Sequence, residues 1–196
     1  MAEFITQTVH FSEPGPINTE RTLALAYKRA KALDLSTVVL ATTSGATAVK
    51  ATQVMTDLNI VAVTHSTGFS QPYQQSLINE NHEVLENAGA HILTTTHAFG
   101  GVGRAVRKKL NTYQVDEIIA FTLRTFGQGM KVIAEITLMA ADAGLLPPQE
   151  PILTVAGSGK GADTAVVVQP THAQTFFDLK FLEILCMPAP EHPGFK

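Results

Sequence analysis

The sequence predicts an α/β fold, a three-layer α/β/α sandwich with a mostly parallel sheet and an antiparallel edge near the C-terminus. Short apolar runs alternate with stretches whose apolar residues recur at helical spacing. Parallel strands joined by helices need right-handed crossovers, which place helices on both faces of a sheet. The 196 residues, 45% of them hydrophobic and 16% charged, suit one domain over 1–196 with a core at about 18–188.

The first half of the chain alternates helix and strand. Capping residues and apolar runs predict, in order, a helix from Asn18 or Thr19, a strand at 37–41, a helix at 46–58, a strand at 60–63, a short helix at 81–87 and a strand at 90–95. Gly89 is expected to end the short helix, because glycine adopts the left-handed conformation that closes many helices.

The second half continues the pattern and then turns to strands. It predicts, in order, a helix after the glycines at 100–101, a helix or a strand at 115–123, a long helix at 127–143, and strands at 151–157, 164–170 and 181–188. Gly144 and the two prolines after it should end the long helix. The strands at 151–157 and 164–170 are close enough along the chain to form an antiparallel pair.

Charge and cysteine content narrow the class of protein. The net charge of −3 and the pI near 6.1 argue against a nucleic-acid partner. Cys186 is the single cysteine, which excludes an internal disulfide framework and fits a reducing compartment. The first residues lack a signal-peptide pattern, and no apolar run is long enough to span a membrane. We therefore expect a soluble cytoplasmic protein without a membrane partner.

Ligands of open α/β sheets bind at the carboxyl ends of the strands, so the loops there are the candidate sites. The first is TTSGAT, which joins a strand to a helix and offers free N–H groups, hydroxyls and the positive end of a helix dipole. These features predict a cradle for a phosphate or carboxylate. The alternative is that Ser44 or Thr47 merely caps the helix. The candidate residues are Thr42, Thr43, Ser44, Gly45, Ala46 and Thr47.

The second candidate loop is AGSGKGADTA at 156–165. Its Lys160 resembles a P-loop lysine, but Thr154 and Gly161 stand where a P-loop requires glycine and a hydroxyl, so an ATPase is excluded. It is either a flexible loop that closes over an anion or a glycine-rich hairpin turn. The candidate ligand residues are Gly157, Ser158, Gly159, Lys160, Gly161, Asp163 and Thr164.

Two histidines follow neighbouring strands and are expected to face one cleft. His65 and His97 titrate near neutral pH, but no third residue completes a triad or a metal site. No catalytic residue or metal ligand is therefore assigned. Residues next to them that could line the cleft are Thr67, Gly68, Phe69, Phe99 and Gly100. Lys131 and Glu135, four residues apart on the long helix, predict an ordinary surface ion pair.

The stretch VVLATTSGATAVKATQVMTDLNIVAVT resembles the C-terminal α/β domain of pyruvate kinase. Thr42, Ser44, Gly45 and Thr47 match the loop that holds an effector phosphate in regulated members. KVIAEITLMAADAGLLPPQEPILTVAGSGKGADTAVVVQP is similar to that domain's last helix, effector loop and antiparallel strand. The resemblance covers about 20–170 and places Lys131 near a basic effector contact.

The resemblance implies a ligand but not the parent enzyme's reaction. The catalytic barrel of pyruvate kinase has no counterpart in these residues, so that activity is excluded. The full length is similar to small stand-alone proteins of the superfamily from archaea and bacteria, and this likeness implies flavin mononucleotide (FMN) with its phosphate in the 42–47 loop, in a flavoprotein with a redox role. The alternative is a non-catalytic sensor of a sugar phosphate or nucleotide. Phe176, Phe177 and Phe181 allow a homo-oligomer.

Overall fold

The computed structural model describes residues 1–195. Within this range the chain forms seven strands and six α-helices, with short 3-10 turns between some of them. The strands are β1 Val9–Phe11, β2 Thr37–Ala41, β3 Asn59–Val63, β4 His91–Leu93, β5 Ile152–Ala156, β6 Thr164–Gln169 and β7 Lys180–Pro188. The helices are α1 Thr19–Ala32, α2 Ala46–Val54, α3 Asn79–Asn87, α4 Val102–Leu110, α5 Val115–Arg124 and α6 Gln128–Asp142.

The strands form one sheet in the order β1-β7-β6-β5-β2-β3-β4. Every neighbouring pair is parallel except the two pairs that involve β6, which runs against both β5 and β7. Six strands therefore end at one edge of the sheet, and β6 begins there.

Alternate residues of the strands face two apolar cores. Val38 and Leu40 of β2 lie in the core covered by α1, α2 and α3, whereas Val39 lies in the core covered by α6. Helix α5 packs on the outer side of α6 through Ala120 and forms a third, smaller core. The molecule is thus the predicted three-layer sandwich, with an additional helix outside one layer.

The predicted fold class is confirmed, and three details differ or were undecided. The segment at 115–123 is a helix. Strand β1 was not predicted, because three residues show no periodicity. The antiparallel strand β6 pairs with β5 as expected but lies inside the sheet, since β7 and β1 extend the sheet beyond it. Gly89 and Gly144, with φ of 73° and 71°, follow the ends of α3 and α6 as predicted.

The topology fixes where a ligand can approach. From β2 the chain moves outward through β3 to β4, then returns through α4, α5 and α6 to β5 on the other side of β2. The order of strands reverses between β2 and β5, and ligands of open α/β sheets bind at the carboxyl ends of the strands near such a point. Among residues 1–195, none of the helices is both long and apolar enough to cross a membrane.

The phenylalanines expected at an interface have different environments. Phe176 and Phe181 are partly buried against the cores around α6, whereas Phe177 is 92% exposed. Of these three phenylalanines, Phe177 is the one whose side chain is largely exposed. A homo-oligomer stays a prediction.

Candidate functional site

The loop 42–47 leads from the carboxyl end of β2 into α2. Gly45 is the N-cap residue of α2 and has φ of 95°, a conformation that side chains other than glycine adopt at a cost. The N-cap residue Gly45 has no side chain to cap the first turn of α2, and the Ala46 N–H donates a long hydrogen bond of 3.5 Å to Ser44 Oγ. Of the predicted capping alternative, the structure therefore contains one long bond to Ser44.

Thr42 adds an unusual polar atom to this loop. Thr42 is 5% exposed, and its buried hydroxyl oxygen, Oγ1, has no hydrogen-bond partner among residues 1–195. A buried hydroxyl without a partner is costly, since it gives up water and receives nothing in return. Within the described residues the fold thus leaves this hydroxyl unsatisfied.

One side of the loop is closed by residues 77–81, which lead into α3 and include its first residues. A Cβ atom on Gly45 would lie 2.5 Å from Asn81 Cβ and 2.8 Å from Leu77 Cδ1. The Ser44 carbonyl accepts hydrogen bonds from Asn81 Nδ2 at 2.8 Å and from the Ile78 N–H at 3.2 Å. This segment therefore braces the loop, and the exposed side at Ala46 is the open one.

The loop 157–163 follows β5, which is the neighbour of β2 in the sheet. It is tied down by Asp163, which is fully buried and accepts hydrogen bonds from the Gly15 N–H at 2.8 Å, the Ser158 N–H at 3.1 Å and the Thr164 hydroxyl at 2.8 Å. Thr19 of α1 accepts a further bond from the Ala162 N–H. Asp163 and Thr164 thus hold the shape of the loop.

The glycines of this loop divide into two kinds. A Cβ on Gly157 would lie 2.3 Å from the Gly161 carbonyl oxygen, and one on Gly161 would lie 2.5 Å from Pro16 and from Thr19. Close packing therefore explains why glycine is needed at positions 157 and 161. Gly159 has open space around it, and Lys160 beside it is exposed. The tip at 158–160 is therefore the part that can reach a ligand.

His65 and His97 face each other as predicted, with ring centroids 5.5 Å apart. Phe69 stacks on His97 at 4.8 Å with the two planes 9° apart, and the Arg104 guanidinium also lies 4.8 Å from the Phe69 ring. Beside this stack is a cavity of about 220 Å³ between the loops after β3 and β4. Of the predicted ligand residues, those that line it are Thr67, Gly68, Phe69, His97 and Gly100.

The structure corrects the prediction for Lys131 and Glu135. They are 5% and 4% exposed, with Lys131 Nζ 2.5 Å from Glu135 Oε2, so the pair is buried and not a surface pair. Glu135 Oε2 also lies 3.7 Å from His97 Nδ1, and Oε1 accepts the Phe99 N–H at 3.2 Å. The loop after β4 covers the pair, which a local pattern on α6 does not reveal.

These contacts set the charge states. Burial on its own would raise the pKa of Glu135, but His97 and Lys131 lower it to about 2. Burial lowers the pKa of the Lys131 ammonium, against the pull of Glu135. Burial, followed by the proximity of His97, lowers the pKa of His65 below its ordinary value of 6.5. At neutral pH the group therefore holds an ionised Glu135 and a neutral His65.

The prediction for this edge of the sheet differs from the structure in two ways. Phe99 was predicted to line the cleft, but it is 6% exposed and belongs to the small core between α5 and α6. Arg104 and Lys108, which were not singled out, line the cavity together with Ser66, Thr96 and Gly101. The available signal was two basic residues four apart in a helix that begins directly after a glycine pair. Within residues 1–195, no group of three or more His, Cys, Asp or Glu side chains forms a metal site.

Comparison with known proteins gives one family match. The family described as "Pyruvate kinase, alpha/beta domain" matches residues 20–168. Among solved structures, a Cryptosporidium parvum pyruvate kinase in complex with ADP is similar at 16% identity and a TM-score of 0.40, over 81% of this chain and 25% of that chain. A second pyruvate kinase from the same organism gives 14% and 0.37, over 76% and 22%.

A third structure belongs to a different enzyme. An NH3-dependent NAD synthetase from Campylobacter jejuni, in complex with the nitrate ion, is similar at 17% identity and a TM-score of 0.39, over 71% of this chain and 55% of that chain. The chain spans about a quarter of the length of the pyruvate kinase structures that it matches.

Proposed function

Because the chain belongs to the pyruvate kinase alpha/beta domain family, we propose that it binds a phosphorylated small molecule at the carboxyl edge of its sheet, between β2 and β5. The observation that carries this proposal is the loop 42–47. This loop combines a helix N-terminus, whose one side-chain contact is the 3.5 Å bond to Ser44, with the Thr42 hydroxyl, which is buried and has no partner among residues 1–195. Both lie at the point where the strand order reverses.

The loop has the chemistry that a phosphate needs. The first N–H groups of α2 have no partner in the helix and carry its positive dipole end, which favours an anion. Ser44 and Thr47 bring hydroxyl donors, and the exposed Lys160 at the tip of the 157–163 loop brings a charge that can move toward the ligand. Lys131 is held by Glu135, next to Phe99 in the turn after β4.

FMN is the cofactor that we propose for this site. Its phosphate suits the 42–47 loop for the reasons above, and when bound its ring would supply hydride or single-electron transfer. The ring itself needs more room, because Phe69 and His97 already stack on each other and the cavity of about 220 Å³ is below the roughly 300 Å³ at which small-molecule pockets usually begin. The 66–69 loop must move to admit it.

A sensor of a sugar phosphate is the second candidate. The closed Phe69–His97 stack favours it, because a sugar phosphate is smaller than FMN and needs no aromatic slot. Such a module would bind without turnover. Both candidate ligands would place their phosphate in the 42–47 loop. They differ in the group attached to the phosphate, a flavin ring system or a sugar.

The first experiment identifies the ligand. The purified protein is denatured, and the released small molecules are analysed by mass spectrometry and absorbance. FMN, with a spectrum that bleaches on reduction, would support the flavoprotein, and a colourless sugar phosphate would support the sensor. Release of neither, together with no thermal stabilisation by FMN or sugar phosphates, would contradict both.

A variant locates the site. Replacing Thr47 by Val and Ser44 by Ala removes two donors and should weaken phosphate-ligand binding about tenfold in calorimetry, the equivalent of about 1.4 kcal/mol. Thr52→Ala is the matched control, since Thr52 lies on the same helix and its hydroxyl bonds only to the Val49 carbonyl. Equal affinity in the double variant and the control would exclude the loop as the site.

A further inference from the structure

We propose that the cavity between the loops after β3 and β4 is a second oxyanion site, which takes a phosphate or carboxylate group. It is lined by the loop 66–69, by the turn 96–101 and by two side chains of α4, Arg104 and Lys108. None of the residues of the 42–47 loop lines it. The inference therefore holds whether or not that loop binds a phosphate.

The lining of the cavity is cationic and has no acidic side chain. Arg104 and Lys108 are four residues apart on α4, so both project from one face of the helix toward the cavity. Within residues 1–195, no carboxylate oxygen lies within 4 Å of either charge, whereas Arg107 on the same helix is paired with Glu117. Two cations that share a cavity without a counter-ion repel each other, and a bound anion removes that repulsion.

Arg104 is held in position before any ligand arrives. Its guanidinium lies 4.8 Å from the Phe69 ring centroid, and Phe69 in turn stacks on His97. On the backbone side, a Cβ on Gly100 would lie 2.5 Å from one guanidinium nitrogen, so glycine there lets the side chain lie against the turn. A planar group fixed in this way loses little entropy when it binds.

Neutral donors complete the site. Ser66, Thr67 and Thr96 contribute hydroxyl groups to the lining, and the glycine pair at 100–101 brings backbone close to the cavity. The first turn of α4 begins there without a side-chain cap, which adds to the positive potential. A guanidinium, an ammonium and hydroxyls together match the oxygens of a phosphate or carboxylate.

The size of the cavity limits the occupant. About 220 Å³ holds one oxyanion group and a few attached atoms, because whole drug-sized ligands occupy pockets of roughly 300 Å³ or more. The cavity therefore suits a small phosphorylated or carboxylated metabolite, or one end of a longer ligand. Arg104 would bind the oxyanion in bidentate fashion and Lys108 as a point charge.

Nuclear magnetic resonance tests the site directly. Isotope-labelled full-length protein is titrated with inorganic phosphate and, separately, with acetate, at constant ionic strength. We expect saturable shifts of the Gly100 and Gly101 amides, and affinity at least about tenfold weaker in Arg104→Gln. Lys108→Gln, on an exposed side chain, should weaken binding as well. A preference for phosphate or for acetate tells which oxyanion the site takes.

Lys109→Gln is the matched control, because it removes the same charge from the next position of α4 without touching the cavity. It should bind phosphate as wild type does. Equal weakening by Lys109→Gln and Arg104→Gln would reduce the effect to net charge and overturn the proposal. Shifts confined to Ser44 and Gly45 would also overturn it, while leaving the 42–47 loop as a phosphate site.

Discussion

Glu135 is the residue that neutralises the buried charges beneath the loop after β4. Its carboxylate contacts the Lys131 ammonium, the His97 imidazole and the Phe99 N–H, while only 4% of the residue is exposed. Two charges in a dry environment are tolerated because each compensates the other. Loss of one partner therefore costs much more here than at the surface.

Glu135→Gln should lower the free energy of unfolding by about 3–5 kcal/mol, because it leaves Lys131 buried without its counter-ion. Urea denaturation at pH 7 measures the loss. Glu20→Gln is the control, since Glu20 pairs with Lys50 at 3.0 Å on the surface and should cost at most about 1 kcal/mol. An equal loss of unfolding free energy in Glu135→Gln and Glu20→Gln would show that the buried Lys131–Glu135 pair contributes no more to stability than a surface pair.

The same variant has a pH signature. The pKa of Glu135 falls from its ordinary 4.5 in the unfolded chain to about 2 in the fold. Its contribution is thus fully present above pH 4.5 and is lost as the pH falls toward 2. We expect the stability difference between wild type and Glu135→Gln to shrink over that range, and a constant difference would contradict the assignment.

Single residues also show where sequence reasoning stops. Lys131 and Glu135 form a spacing that is the same on a solvated helix and on a buried one, and only the distant loop 94–101 distinguishes the two cases. His65 and His97 were placed correctly, because adjacent parallel strands bring their following residues together. Arg104 was missed, since its partner ring, Phe69, lies far from it along the chain.

Among the connecting elements, the loop 157–163 depends on one carboxylate. Asp163 accepts three hydrogen bonds, one from the backbone before α1, one from Ser158 within the loop and one from Thr164 of β6. The residue is fully buried, so water cannot replace those bonds if the charge is removed. The loop after β5 keeps its shape through this residue.

Asp163→Asn should destabilise the protein by about 2–3 kcal/mol, because hydrogen bonds to a charged acceptor are lost and an amide N–H₂ faces existing donors. Hydrogen exchange at the Gly15 and Ser158 amides should accelerate as well. Asp142→Asn is the control, since Asp142 accepts the Ala173 N–H at the surface. Unchanged exchange at Gly15 in Asp163→Asn would show that the loop is held by other contacts.

The sequence predicts the boundaries of secondary-structure elements best where the elements are long. The helix at 127–143 was bounded within about a residue, and Gly144 ends it as its position predicts. The 42–47 loop was found because a strand stops and a helix starts within a few residues. The three-residue β1 has no such signature; it exists because β7 offers it a parallel partner.

The single cysteine, Cys186, is buried inside the folded protein. Cys186 is fully buried in β7, between β1 and β6, and its Sγ lies 3.8 Å from the Thr22 hydroxyl. Burial raises the pKa of the thiol to about 11. The reactive thiolate is therefore scarce in the folded protein, and access to it requires the sheet to open.

A thiol-reactive dye at pH 8 should label native Cys186 at least about a hundredfold more slowly than the chain unfolded in urea. The labelling rate should rise with urea as unfolding does. Ser70→Cys provides the control, because position 70 is exposed and should take up one dye at once. Native labelling of Cys186 as fast as that of position 70 would mean that β7 is not protected.

The pairing of β1 with β7 has a consequence for synthesis. Val9, Phe11 and their partners Cys186 and Pro188 stand near opposite ends of the chain. At a translation rate of about 5–20 residues per second, the strand made first waits tens of seconds for its partner. Until then the ribosome-bound chain displays β1 unpaired, so this pair forms late relative to the synthesis of β1. A chaperone that shields the nascent β1 segment would act during this interval.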